Sequence, residues 1–180
     1  MAKIICYTDG ACSGNPGIGG WGWTATMTIG HFTVNLSDYN GMQKTTNQQM
    51  ELQALANFLE WCPKNCDVEI HSDSVYVLSA LIGTINIEKG ANNTPLVNLN
   101  AFSKGYMKNW VTKEAILNAP NSTSYWQKER PNTDEWYRIH QRLLYLGENT
   151  KFAWVRGHSN NIGNDKADTL AKKYIKTHKK

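Results

Sequence analysis

With 180 residues, of which 41% are hydrophobic and 19% charged, the chain has the size and balance of one ordinary globular domain. No apolar run reaches the roughly twenty residues that span a bilayer and no secretory pattern opens the sequence, so a cytoplasmic protein without membrane contact is expected. The formal charge of +4 suits a polyanion partner without establishing one, and Cys6, Cys12, Cys62 and Cys66 lack CxxC spacing and read as reduced thiols.

The first predicted strand is the near-continuous apolar run Lys3 to Thr8, covered on both faces and ending at Asp9. Gly10 to Gly17 is dense in turn residues and reads as a loop that brings backbone close to a ligand. From Trp21 to Ile29 apolar and small polar residues alternate, and Phe32, Val34 and Leu36 continue that period after Gly30-His31, which predicts an antiparallel meander. After the polar stretch Asn40 to Thr46 comes a helix from about Asn47 to Trp61. Thr46 and Gln49 fit a capping box, and Leu52, Leu55, Ala56 and Leu59 form its core stripe. Glu51 lies off that stripe, with Asn47 and Gln48 one turn earlier.

Val68 to His71 forms a fourth strand that ends at Ser72-Asp73-Ser74 before a short helix, Val75 to Leu81. A strand–helix–strand connection requires this strand to lie parallel to the first. If the two are neighbours, Asp9 and Asp73 emerge side by side at the point where open α/β sheets bind ligands. Residues 83–100 read as a long surface loop, Ala101 to Thr112 as helical, and Lys113 to Pro131 as irregular. A helix capped by Thr133 or Asp134 runs to about Tyr145, and Lys151 to Val155 is the fifth strand. Gly157 to Gly163 is a polar loop holding His158, and a last helix starts near Asn164 with Asp165 and Asp168 in its first turns.

An aspartate at a strand end is usually a turn residue, and acids near a helix start usually answer the helix dipole. Together, however, Asp9, Glu51, Asp73 and Asp168 can converge over two adjacent parallel strands, and four clustered acids repel unless cations intervene. An all-oxygen set favours Mg²⁺ or Mn²⁺ over zinc. Two such ions are a recurring device for phosphodiester displacement.

Five ordered segments, YTDGACSGNPGIGGWG (Tyr7–Gly22), TTNQQMEL (Thr45–Leu52), SDSVYV (Ser72–Val77), WVRGHS (Trp154–Ser159) and NDKADTLA (Asn164–Ala171), resemble the signature segments of type 1 ribonuclease H. The resemblance implies a single α/β domain over residues 1–180 with the ribonuclease H-like fold, a five-stranded mixed sheet of order 3-2-1-4-5 flanked by helices. It implies an endonuclease that cleaves the RNA strand of RNA/DNA hybrids with two Mg²⁺ ions (or Mn²⁺), leaving 5′-phosphate and 3′-hydroxyl ends. Carried over by motif, Asp9, Glu51, Asp73 and Asp168 are the metal-binding carboxylates and His158 the loop histidine that aids turnover. Gly14, Asn15, Asn47 and Gln48 match positions contacting the hybrid's minor groove, and Thr46 a DNA-phosphate contact. A monomer is expected. Short amides suit this task, because only the RNA 2′-hydroxyls and the shallow minor groove distinguish the two strands. The alternatives are a two-metal DNA nuclease of integrase type and a catalytically silent hybrid-binding domain.

The sequence departs from the family pattern in two places. Residues 83–100 look like a loop insertion without an assigned role. Residues 104–132, where the family's bacterial members often carry a strongly basic substrate-binding protrusion, hold Lys104, Lys108, Lys113, Lys128 and Arg130 against Glu114 and Glu129, interleaved with Tyr106, Trp110, Tyr125 and Trp126. That interleaving fits a duplex-binding handle and equally fits aromatics that pack the protrusion.

Overall fold

A computed structural model describes residues 1–84, 96–99, 105, 107 and 131–179. Most of the helix expected over 101–112, all but the last residue of the irregular stretch 113–131, most of the insertion 83–100 and most of the protrusion 104–132 lie outside these described residues. The elements in chain order are β1 (Ala2–Gly14), β2 (Gly17–Ile29), β3 (Phe32–Thr45), α1 (Asn47–Trp61), β4 (Cys66–Ser72), α2 (Val75–Leu81), β5 (Val97–Asn98), α3 (Thr133–Leu146), β6 (Thr150–Trp154) and α4 (Ile162–His178). No helix among the described residues is long and apolar enough to cross a membrane.

The sheet runs β3-β2-β1-β4-β6-β5. The first three strands form the expected antiparallel meander, β4 and β6 lie parallel to β1 and to one another, and β5 is antiparallel to β6. The expected order 3-2-1-4-5 is therefore present, extended by one short edge strand. That strand, Val97–Asn98 against Phe152 and Lys151, falls in the stretch read as a loop because two paired residues leave no periodic signal.

Two boundaries differ from the sequence reading for physical reasons. β1 does not stop at Thr8. Asp9 to Gly14 continue in register with Gly22 to Gly17, so the glycine-rich stretch is a hairpin arm and not a loop. Its glycines serve close packing: a side chain at Gly10 would run into the backbone of Met50 and Glu51, and one at Gly22 into Leu170 and Ala167. The last helix begins at Ile162 rather than Asn164, because Asn161 caps it by accepting from the Asn164 backbone N–H at 3.1 Å.

The helices α1 and α4 occupy opposite faces of the meander. On one face Met50, Leu55, Phe58 and Leu59 bury against Ile4, Cys6 and Trp23, whose ring meets Phe58 edge-on at 5.6 Å. On the other, the small residues Ala167 and Ala171 let α4 approach the glycine-rich arm of β2. α3 packs on α1, where Glu135 accepts from Gln49 and Gln53 and Arg138 donates to Gln53 and Glu60, while Trp136 meets Tyr76 of α2. Arg142 donates to the carbonyls of Leu59 and Cys62 at 2.8 Å each, satisfying acceptors left open at the end of α1.

Candidate active site

The parallel ladder between β1 and β4 ends at the pair Thr8↔Ser72. The next residue on each strand is an aspartate, so Asp9 and Asp73 leave the ladder at the same level. β1 goes on into its hairpin with β2, while β4 turns into α2. Local hydrogen bonds fix that turn: Ser72 Oγ accepts from the Ser74 N–H at 3.1 Å, Ser74 Oγ caps α2 by accepting from the Val77 N–H at 3.3 Å, and Trp154 Nε1 donates to the Asp73 carbonyl at 3.0 Å.

Glu51 completes the group. From sequence it lies off the core stripe of α1, yet the packing of α1 on Gly10 buries it to 7% exposure. Asp9, Glu51 and Asp73 each place a carboxylate oxygen within 4.8 Å of the others. Among the described residues, none of the three has a Lys, Arg or His within ion-pair distance. Desolvation accordingly pushes the Asp9 carboxyl up to about 8, helped by the charges of Asp73 and Asp168. Burial, then the charges of Asp9 and Asp73, hold Glu51 well above the carboxylate range. Burial also raises Asp73.

Asp168 stands at the margin of this trio. Its Oδ2 accepts from Lys172 Nζ at 2.7 Å one turn along α4, yet its charge reaches both Asp9 and Asp73. His158 is exposed, with φ of 53° in the left-handed region, and its charge favours the ionised form of Asp73. The residues expected to meet a duplex gather beside the carboxylates. Gly14 turns the hairpin at φ of 88°, and Asn15 Oδ1 accepts from the Asn47 N–H at 3.4 Å, which ties the hairpin tip to the start of α1. Thr46 caps α1 by accepting from the Gln49 N–H at 3.2 Å, and Asn47 and Gln48 are exposed, with Asn47 one turn before Glu51, where it favours the ionised form of that carboxyl. The full capping box is absent, because the Gln49 side chain turns instead to Thr45 and to Glu135 on α3.

One contact escaped the sequence reading. Asn164, taken only as a helix start, is 2% exposed and donates from Nδ2 to Asp73 Oδ2 at 3.2 Å. Its spacing four residues before Asp168 puts both on one side of α4, which is the signal that could have exposed it.

The ribonuclease H family model, described as RNase H, matches residues 1–176. The chain belongs to the ribonuclease H family. It is 37% identical over 177 residues to a ribonuclease H of Prosthecochloris aestuarii, covering 98% of each chain, and 34% identical over 173 residues to that of Francisella tularensis subsp. novicida, covering 96% of this chain and 91% of that one. Family membership makes it an endoribonuclease. In fold it is similar to LC9-RNase H1, a type 1 RNase H (TM-score 0.64, 19% identity, 97% of this chain and 72% of that one), and to LC11-RNase H1, solved in complex with RNA/DNA hybrid (TM-score 0.56, 19% identity, 97% of each).

The ribonuclease H family is metal-dependent, and the carboxylates of this chain fit a hard divalent cation. They are all-oxygen donors, two of them buried and all mutually repelling, and Glu51 Oε2 is buried without a hydrogen-bond partner among the described residues.

Proposed function

We propose that this chain hydrolyses the RNA strand of RNA/DNA hybrids, leaving 5′-phosphate and 3′-hydroxyl ends, with two Mg²⁺ ions, replaceable by Mn²⁺, held by Asp9, Glu51, Asp73 and Asp168. The observation that supports it is the buried carboxylate trio within 4.8 Å, placed directly beside the Asn15–Asn47 contact. Bound there, such ions would make the attacking water more acidic and offset charge on the leaving oxygen.

The protein's own groups do the rest. Gly14 and Asn15 on the hairpin tip and Asn47 and Gln48 on α1 offer amide donors and acceptors to 2′-hydroxyls in the minor groove, while Thr46 beside them meets a DNA phosphate. Because Asn47 lies one turn before Glu51 on α1, strand reading and the carboxylate trio share one helix start. Asp168, tethered by Lys172, adds negative charge at the site's edge. His158 holds or releases a proton beside the carboxylates, where product phosphate would leave. The enzyme works as a monomeric single domain in the cytoplasm.

End-labelled RNA/DNA hybrid, double-stranded RNA and double-stranded DNA, incubated with Mg²⁺ and with chelator, test this reading. Only the RNA of the hybrid should be cut, only with metal, and Asp9→Asn should abolish cleavage while hybrid binding persists. Equal cutting of double-stranded DNA, or near-normal kcat in Asp9→Asn, would refute it.

A further inference from the structure

Asp73 is held far more closely than a surface aspartate at a strand end needs to be. Its carbonyl accepts from Trp154 Nε1, and its Oδ2 accepts from Asn164 Nδ2 at 3.2 Å. On that same oxygen closes Gly157, where an added Cβ would lie only 2.5 Å from Asp73 Oδ2 and farther from any other atom of the chain. Asn164 is itself immobilised: it is 2% exposed, and its backbone N–H is held by Asn161 Oδ1 at 3.1 Å. Its own Oδ1 is buried without a donor among the described residues, a cost tolerated only where the amide's orientation matters.

We infer that Asn164 and Gly157 are positioning residues that set the Asp73 carboxylate for cation binding, Asn164 by donating to Oδ2 and Gly157 by leaving that oxygen its space. The choice of residues fits the task. A lysine or arginine in place of Asn164 would neutralise Asp73 and compete with a cation, whereas a neutral amide orients the carboxylate and leaves its charge available. Gly157 has no positive φ that would demand glycine, so the reason for a bare Cα there is the carboxylate it faces. Gly157 also directly precedes His158, so the root of the histidine loop passes beside this carboxylate. The inference rests on the reading of the trio as a metal site.

The experiment is a calorimetric titration of Mg²⁺ alone into the free full-length chain, for wild type, Asn164→Ala, Gly157→Ala and Asp73→Asn, with thermal midpoints in chelator measured alongside. Apparent Mg²⁺ affinity should fall roughly tenfold in both Asn164→Ala and Gly157→Ala, within the range for lost outer-shell partners. The chelated midpoint of Gly157→Ala should stay near wild type, since the methyl group displaces only the end of one side chain. Raising Mg²⁺ should restore much of the kcat of both variants. Wild-type Mg²⁺ affinity in Gly157→Ala or in a folded Asn164→Ala, with affinity lost in Asp73→Asn, would overturn the inference and leave the metal site standing. Should Asn164→Ala fail to fold, Gly157→Ala decides alone. A wild-type chain that takes up no Mg²⁺ would overturn the metal reading and this inference with it.

Discussion

Asp9 shows how burial and charge oppose each other at a single side chain. A carboxyl raised to about 8 keeps its proton in the folded, metal-free chain at pH values where the unfolded chain has released it. The stability it contributes is complete below its unfolded value, around 4, and is lost as pH rises through about 8. With chelator present, the wild-type thermal midpoint should therefore fall between pH 5 and 8.5. Asp9→Asn should fall less, and at pH 8.5 its unfolding free energy should exceed that of wild type by about 1.4 kcal/mol or more, the worth of one pKa unit. Parallel melting curves for the two proteins would contradict this electrostatic account. His158 touches the chemistry more lightly: His158→Ala should lower kcat roughly 10- to 100-fold, less than a full acid–base contribution, with KM little changed. Unchanged kcat from pH 6 to 9, or a loss wholly in KM, would remove it from the mechanism. At this scale the acids were readable in the sequence because each stands in one of the five motif segments, Asp73 directly after a strand. The burial of Glu51 was not, since it depends on how closely α1 can approach Gly10, far upstream along the chain, and Asn164 was hidden by an ordinary role at a helix start.

Gly10 is the place where one element decides the seating of another. A methyl group there would meet backbone atoms of Met50 and Glu51, which cannot rotate away as a side-chain tip can. Gly10→Ala should cost about 1–3 kcal/mol by overpacking, and should reduce cleavage further by lifting Glu51 from Asp9. A variant with wild-type melting and wild-type kcat would show that α1 has slack the packing denies. Element boundaries were legible where side chains cap or alternate. Thr46 marks the start of α1 and the alternation of β2 marks its buried face. They were illegible where structure comes from partners: the arm Gly10–Gly14 is a strand because β2 pairs with it, and Ile162 opens α4 while 72% exposed, giving no core signal. Asn132 precedes α3 in the left-handed conformation with no side-chain cap bond, so the expected Thr133 or Asp134 cap gave way to backbone geometry.

For the whole molecule, the sheet divides into an antiparallel half that builds the hairpin tip and a parallel half that presents Asp73, with the carboxylates on the seam. That division could be read from sequence because crossover rules leave few ways to connect strand, helix and strand. The edge strand β5 could not. Duplex binding by so modestly basic a chain depends on where its cations lie. If the basic residues between 104 and 132 form a handle, neutralising Lys108, Lys113 and Lys128 should raise KM with little change in kcat. It should also flatten the salt dependence of hybrid binding by roughly one unit per lost phosphate contact. An unchanged slope would assign those residues to packing alone.

The bond from Asn164 to Asp73 spans 91 positions of the chain. At synthesis rates of roughly 5–20 residues per second, the amide leaves the ribosome about 5–18 seconds after the carboxylate it holds. During that interval β1, α1 and β4 have been made, but α4, with Asn164 and Asp168, does not yet exist. Asp73 therefore leaves the ribosome well before the two side chains that hold it in the finished protein, and its carboxylate is set only when the final helix is made.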